Sequence, residues 1–125
     1  MSNTFILIFM LFCHIIDDFV IQTNSPLASM KQKDNWEDAE DTIYEDDYQM
    51  GLVMHSLSWS FMIMLPIAIN FQFDVGFKFL LFYFLNAIVH GFIDDAKCNA
   101  YQINLIEDQT MHIGQILFTS LVFLR

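Results

Sequence analysis

Thr4 to Gln22 reads TFILIFMLFCHIIDDFVIQ, and this stretch decides the fold. Its first ten residues carry no charge; His14, Asp17 and Asp18 then follow inside the same apolar run. A soluble amphipathic helix needs a polar face along its length. Thr4 to Phe12 offers almost none, whereas a bilayer-spanning helix needs about 20 predominantly apolar residues. The same reading extends to residues 49–70, 75–97 and 103–124, where Phe61–Ile69, Phe77–Phe84 and Ile116–Leu124 are nearly free of polar side chains. The sequence therefore predicts an all-α protein, a four-helix transmembrane bundle with helices at 4–22, 49–70, 75–97 and 103–124. At 125 residues it reads as a single membrane-embedded domain over 1–125.

The formal net charge of −10 arises largely from one place. Eight of the fifteen acidic residues fall between Asp34 and Asp47, which predicts one long, solvated acidic loop between the first two helices. Such a loop could engage a protein partner. The acidic balance argues against nucleic acid, which requires basic patches. Two cysteines, Cys13 inside a segment and Cys98 at a segment end, do not make a disulfide framework. The first segment lacks the basic start and small-residue cleavage site of a signal peptide, so it is expected to belong to the mature protein. Pro26 stops the first helix. Residues 26–33 form an amphipathic stretch with Leu27 and Met30 beside Lys31 and Lys33, and Trp36, Tyr44 and Tyr48 suit an interface. Pro66 is expected to kink the second helix, and Asn70–Val75 to make a tight turn.

The four histidines carry the chemistry. His14/Asp18, His90/Asp94 and Asp108/His112 are each four residues apart, which places both members on one helix face. His55 sits near the start of the second helix. Call the end where the first helix stops side B; the second helix begins there, the third ends there and the fourth begins there. At about 1.5 Å per residue, Asp18, Asp94 and Asp108 fall about 5–8 Å below side B, and His14, His55, His90 and His112 about 9–14 Å. His precedes Asp on helices running toward side B and follows it on the helix running away. That inversion predicts a tier of imidazoles beneath a tier of carboxylates.

Imidazole and carboxylate together suit a divalent transition metal such as Zn, Mn or Fe, as one or two ions. Hydrogen-bonded His–Asp glue between helices, or a lined proton or ion path, are the alternatives. Asp17, Asp95 and Glu107 are expected to point elsewhere, toward headgroups or Lys97. Ser56, Ser58 and Ser60 read as helix glue rather than nucleophiles.

The motifs His14-Ile-Ile-Asp-Asp18-Phe19-Val-Ile-Gln22, His90-Gly-Phe-Ile-Asp94-Asp-Ala-Lys97 and Asp108-Gln109-Thr-Met-His112, with His55 alone on the second helix, resemble a family of small bacterial and phage integral membrane proteins classed as domain-of-unknown-function family 3307. That family is in turn similar to membrane-bound metal-dependent hydrolases. The resemblance implies a multi-pass protein of a bacterial inner membrane. It implies a metal-dependent hydrolase, and a site about 5–14 Å below side B suits a phosphate-containing lipid or headgroup as its substrate. On this reading His14, Asp18, His55, His90, Asp94, Asp108 and His112 are metal ligands or their supports, and His55 doubles as catalytic general base. Gln22, Lys97 and Gln109 lie at the side-B rim as substrate-binding residues, with Lys97 receiving a phosphate. A proton or metal-ion transporter using the same tiers, and a phage-type interaction or exclusion protein, are the competing functions. Lys31, Lys33 and Lys97 at side B against Lys78, Arg125 and the amino terminus at the other end tilt side B toward the cytoplasm.

Overall fold

The computed structural model describes residues 1–37 and 42–125, and every regular element among them is helical. Helix α1 spans Asn3–Ile16, capped by the Ser2 hydroxyl, which accepts from the Phe5 N–H at 3.3 Å. It continues into a π-helical turn, Asp17–Ile21, closed by a bond from the Gln22 N–H to the Asp17 carbonyl at 2.9 Å. Two short helices follow, α2 (Leu27–Met30) and α3 (Asp34–Glu37). After a 3₁₀ turn at Thr42–Tyr44 come α4 (Asp47–Asn70), α5 (Phe77–Cys98) and α6 (Leu105–Phe123). The acidic segment is thus not one continuous loop. Asp34 to Glu37 are helical and Asp47 already begins α4, while residues 38–41 of the expected loop lie outside the described residues.

Helix α1 packs on α4 and α6, α4 packs on α5, and α5 packs on α6, so the contacts return to where they began. The apolar core at their centre is small: Ile6, Met10, Trp59, Ile63, Met64, Ile67 and Ile116. Most of the large apolar side chains instead face outward. On α1 the exposed stripe is Phe5, Ile8, Phe12, Ile15 and Phe19, while Ile6, Met10, Cys13, His14 and Asp17 face inward. Exposing a stripe of large apolar side chains while burying His14 and Asp17 inverts the arrangement of a water-soluble helix. Asn3–Ile21, Asp47–Asn70 and Phe77–Cys98 are long and apolar enough to cross a membrane. Helix α6 is not among them: Glu107, Asp108, His112 and two glutamines lower its apolarity.

Local chemistry sets the ends. Asn104 caps α6, its Oδ1 accepting from the N–H groups of Ile106 and Glu107, while Glu107 Oε2 accepts from the Asn104 N–H at 2.8 Å. This reciprocal box occupies Glu107 and fixes the first turn that carries Asp108. The helix α4 remains continuous through Pro66. The turn beyond it places Gln72 and Phe73 in the left-handed region at φ 54° and 63°.

Helix α2 lies against the first turns of α4 at Gly51. A Cβ there would meet the Met30 carbonyl carbon at 2.6 Å and the Lys31 nitrogen at 2.7 Å, so only glycine allows this approach. Asn99, just past α5, grips the same segment from the other side. It donates to the Lys31 carbonyl at 3.1 Å and accepts from the Lys33 N–H at 2.7 Å. Trp36 donates its indole N–H to the Met30 carbonyl at 3.0 Å. The Tyr101 phenol donates to the Asp34 carboxylate, which pushes its pKa up. Residues 27–36 therefore form a cap on side B rather than a surface amphipathic stretch.

Candidate metal centre

The pitch of α1, α4, α5 and α6 brings four imidazoles into one buried cluster. Ring centroids are 4.1 Å apart for His90 and His112, 4.9 Å for His55 and His90, and 5.9 Å for His14 and His112. Trp59 forms the floor, stacked on His90 at 4.2 Å and edge-on to His14 at 5.8 Å.

Carboxylates crowd the same rings. His112 Nε2 lies 3.3 Å from Asp108 Oδ1 and 3.5 Å from Asp94 Oδ1, and His90 Nε2 lies 3.8 Å from Asp94 Oδ1. His55 Nε2 lies 3.0 Å from His90 Nε2, 3.3 Å from Asp94 Oδ2 and 3.5 Å from Asp18 Oδ1. Two triads offer ligand atoms all within 4.8 Å of one another: Asp18, His55 and His90, and His90, Asp94 and His112. A tetrahedral ion with bonds of about 2.0–2.2 Å places its ligand atoms about 3.3–3.6 Å apart. The spacings around His112 fall in that range.

Two further observations test the fit. Asp17 Oδ2, Asp18 Oδ1, Asp108 Oδ1 and His112 Nε2 are buried without a hydrogen-bond partner. Orphaned buried polar atoms are rare in folded proteins and call for an explanation such as an ion. Charge supplies the other. Four carboxylates (Asp17, Asp18, Asp94, Asp108) lie with two ammonium groups, Lys31 on Asp94 and Lys97 on Asp108 at 2.9 Å. With neutral imidazoles the cluster is left two positive charges short, the charge of one divalent cation. The donor set fits such an ion.

Not every expected residue sits where the spacing put it. His14 stands outside both triads: its Nδ1 accepts from the Trp59 indole N–H at 2.8 Å, and its Nε2 faces Gln109 Oε1 at 3.0 Å. Those partners assign the proton to Nε2 and leave no free lone pair. Gln109 lies within the cluster rather than at the rim, its amide donating to Asp108 Oδ2 at 2.9 Å and Asp18 Oδ2 at 3.3 Å. Lys97 is held by Asp108, while Asp95 accepts from Asn99 at 2.7 Å instead of meeting Lys97. Gln22 is half-buried, just past the π-helical turn.

Asp17 was expected to face headgroups, but it is fully buried. Its Oδ1 accepts from the Ser58 hydroxyl at 2.7 Å and its Oδ2 lies 3.6 Å from His55 Nδ1. Asp17 follows Cys13 by four residues and His14 by three, so regular winding already places it on the buried face of the first helix, while Asp18 reaches the cluster from the edge of that face. Ser60 ties α4 to α5 through the Tyr83 carbonyl at 2.6 Å, and Ser56 bonds back to the Leu52 carbonyl.

Several partners went unremarked in the sequence although spacing marks them. Trp59 lies four residues after His55, Asn86 four before His90 and Gln115 three after His112, each on the same face as its histidine. Gln115 donates to the Asn86 carbonyl at 3.1 Å, and Asn86 donates to Thr119 at 3.0 Å, so buried polar contacts continue below the imidazoles. Lys31, only 3% exposed, carries no such signal.

A profile of the family described as protein of unknown function (DUF3307) matches residues 6–124. The chain belongs to that family. No curated protein and no solved structure matches it. The DUF3307 match runs through all four long helices, and hence through every residue of the His/Asp cluster.

Proposed function

We propose that this DUF3307 protein is a membrane-embedded metal-dependent hydrolase acting on a phosphate-containing lipid or headgroup. The observation that carries the reading is the orphaned His112 Nε2 and Asp108 Oδ1 beside the His90–Asp94–His112 triad, in a cluster two positive charges short. The chain folds as a four-helix transmembrane bundle, with α6 as the fourth span, multi-pass, and side B toward the cytoplasm. In support, α6 packs between α1 and α5, which both present apolar outer faces.

His112 Nε2, Asp94 Oδ1 and Asp108 Oδ1 would hold one divalent ion, Zn, Mn or Fe, and His90 would join them by giving up its 3.0 Å contact with His55 Nε2. Such an ion supplies a Lewis acid that polarises a phosphoryl oxygen and activates water for attack at neutral pH. His55 would take the proton from the attacking water as general base and return it to the departing alcohol, with the Asp17 carboxylate 3.6 Å from its Nδ1 favouring the protonated ring. Asp18 and Gln109 close the site on the α1 side. A lipid substrate is favoured because the cluster lies at membrane depth. A cleft of about 700 Å³ on the outer wall of α4 and α5 has apolar sides, with Tyr48, Gln49 and Asp95 at its side-B end, and suits an acyl chain.

Elemental analysis of the purified protein tests this. It should find about one transition-metal ion per chain, lost in His90→Ala. His55→Ala should keep the ion and lose about 10²–10⁴ of phosphate release from lipid phosphates. A protein that takes up no ion from metal-supplemented buffer ends the proposal.

A second reading is proton or ion transport, favoured by the Gln115–Asn86–Thr119 contacts that carry polarity beyond the imidazole tier. It is ranked second because the apolar core of Ile63, Ile67 and Ile116 also occupies the interior of the helices. Proton flux into vesicles that stops in His90→Ala, from a protein without metal, would favour it.

A further inference from the structure

We infer that Lys31 is a built-in cation that holds the centre to a single metal ion. The inference rests on the metal reading above and adds to it the control of how many ions bind.

Lys31 comes from the side-B cap, yet its ammonium group is buried and bonds Asp94 Oδ2. That oxygen also lies 3.3 Å from His55 Nε2, next to the Asp18–His55–His90 triad. The other oxygen, Asp94 Oδ1, faces His90 and His112. Asp94 thus divides its two oxygens between a lysine on one side and a candidate ion position on the other. A carboxylate placed between two triads is the natural bridge for a pair of ions about 3.5–4 Å apart. Here one of those two places is taken by an ammonium group.

The fold invests heavily in putting it there. Gly51 admits the Met30–Lys31 backbone at a distance no side chain permits, and Asn99 bonds the Lys31 carbonyl and the Lys33 N–H. A surface lysine needs none of this. A neutral imidazole has one free lone pair, so His90 serves a single ion; freed of Lys31, Asp94 Oδ2, 3.3 Å from His55 Nε2, joins Asp18 and His55 as a second set of ligand atoms that does not need His90. Without the lysine the cluster is three positive charges short instead of two, and a second divalent ion becomes the available compensation.

Metal stoichiometry decides the matter. Wild-type protein and Lys31→Met, Lys31→Arg and Gly51→Ala variants are purified in detergent, equilibrated with Zn²⁺ or Mn²⁺, desalted and analysed for metal per chain. Lys31→Met should rise from about one ion to about two, Lys31→Arg should stay at one, and Gly51→Ala, which displaces the Lys31 backbone, should follow Lys31→Met. Gly51→Ala decides alone should Lys31→Met fail to give helical, monodisperse protein. A wild type with one ion and a Lys31→Met with one ion overturns the inference and leaves the hydrolase reading standing. A rise in Lys31→Arg overturns it equally. A wild type with no ion removes both.

Discussion

His112 Nε2 and Asp108 Oδ1 lie 3.3 Å apart, buried, and neither makes a hydrogen bond. Two acceptor atoms that face each other this way need a proton or a cation between them. Metal binding and protonation therefore compete for the same space.

That competition sets a pH dependence. Ligand imidazoles and carboxylates must be deprotonated to bind metal, so ion content should be full above neutrality and fall as pH drops through the imidazole range, about 6–7. Asp108→Asn should weaken retention about 10–100-fold, the scale of losing a group that supports a ligand. Metal content after dialysis at pH 5, 6, 7 and 8 checks both; retention unchanged at pH 5 would contradict them.

Trp59 is a reporter placed by the fold. Its ring stacks on His90 at 4.2 Å, and its N–H is held by His14. With Trp36→Phe leaving Trp59 as the one remaining tryptophan of two, Co²⁺ should quench its emission saturably with about one equivalent. His14→Phe strands a buried indole N–H and should cost about 1–3 kcal/mol, read as a lowered denaturation midpoint in detergent.

The Asn104–Glu107 box holds the first turn of α6, which carries Asp108. Asn104→Ala should cost about 1 kcal/mol of stability. Asn104→Ser should recover most of it, because serine also accepts from the first-turn N–H groups. Thermal melts of the two variants in detergent make the comparison.

The long helices were legible because their apolar runs exceed what a soluble surface tolerates, and their observed ends fall within a few residues of the expected ones. The meeting of the histidines was legible from a single regularity: the order of His and Asp reverses when the chain reverses. Three features escaped for separate reasons. The inward turn of Asp17 follows from its spacing to Cys13 and His14, but the pairing of His14 with Asp18 draws the eye to a face turned away from it. Lys31 arrives by a long-range fold-back onto Gly51, so no local spacing announces it. Trp59, Asn86 and Gln115 share the spacing that pairs the histidines with aspartates, but uncharged side chains carry no burial penalty large enough to mark them out in an apolar helix. Helix α6 shows the cost of packing polar groups into an apolar helix: the residues that complete the cluster are those that dilute its apolarity.

The widened turn at Asp17–Ile21 acts as a one-residue shim. Removing one residue from Phe19–Ile21 restores regular winding and re-aims the chain beyond it, from Gln22 to the Lys31 segment, while Asp17 and Asp18 keep their places after His14. A first helix shortened in that way would keep its apolar length, its Ser2 cap and its outer phenylalanines, and would still have lost the placing of Lys31 against Asp94. Chain length between Asp17 and the cap is therefore as much a part of the centre as the side chains themselves.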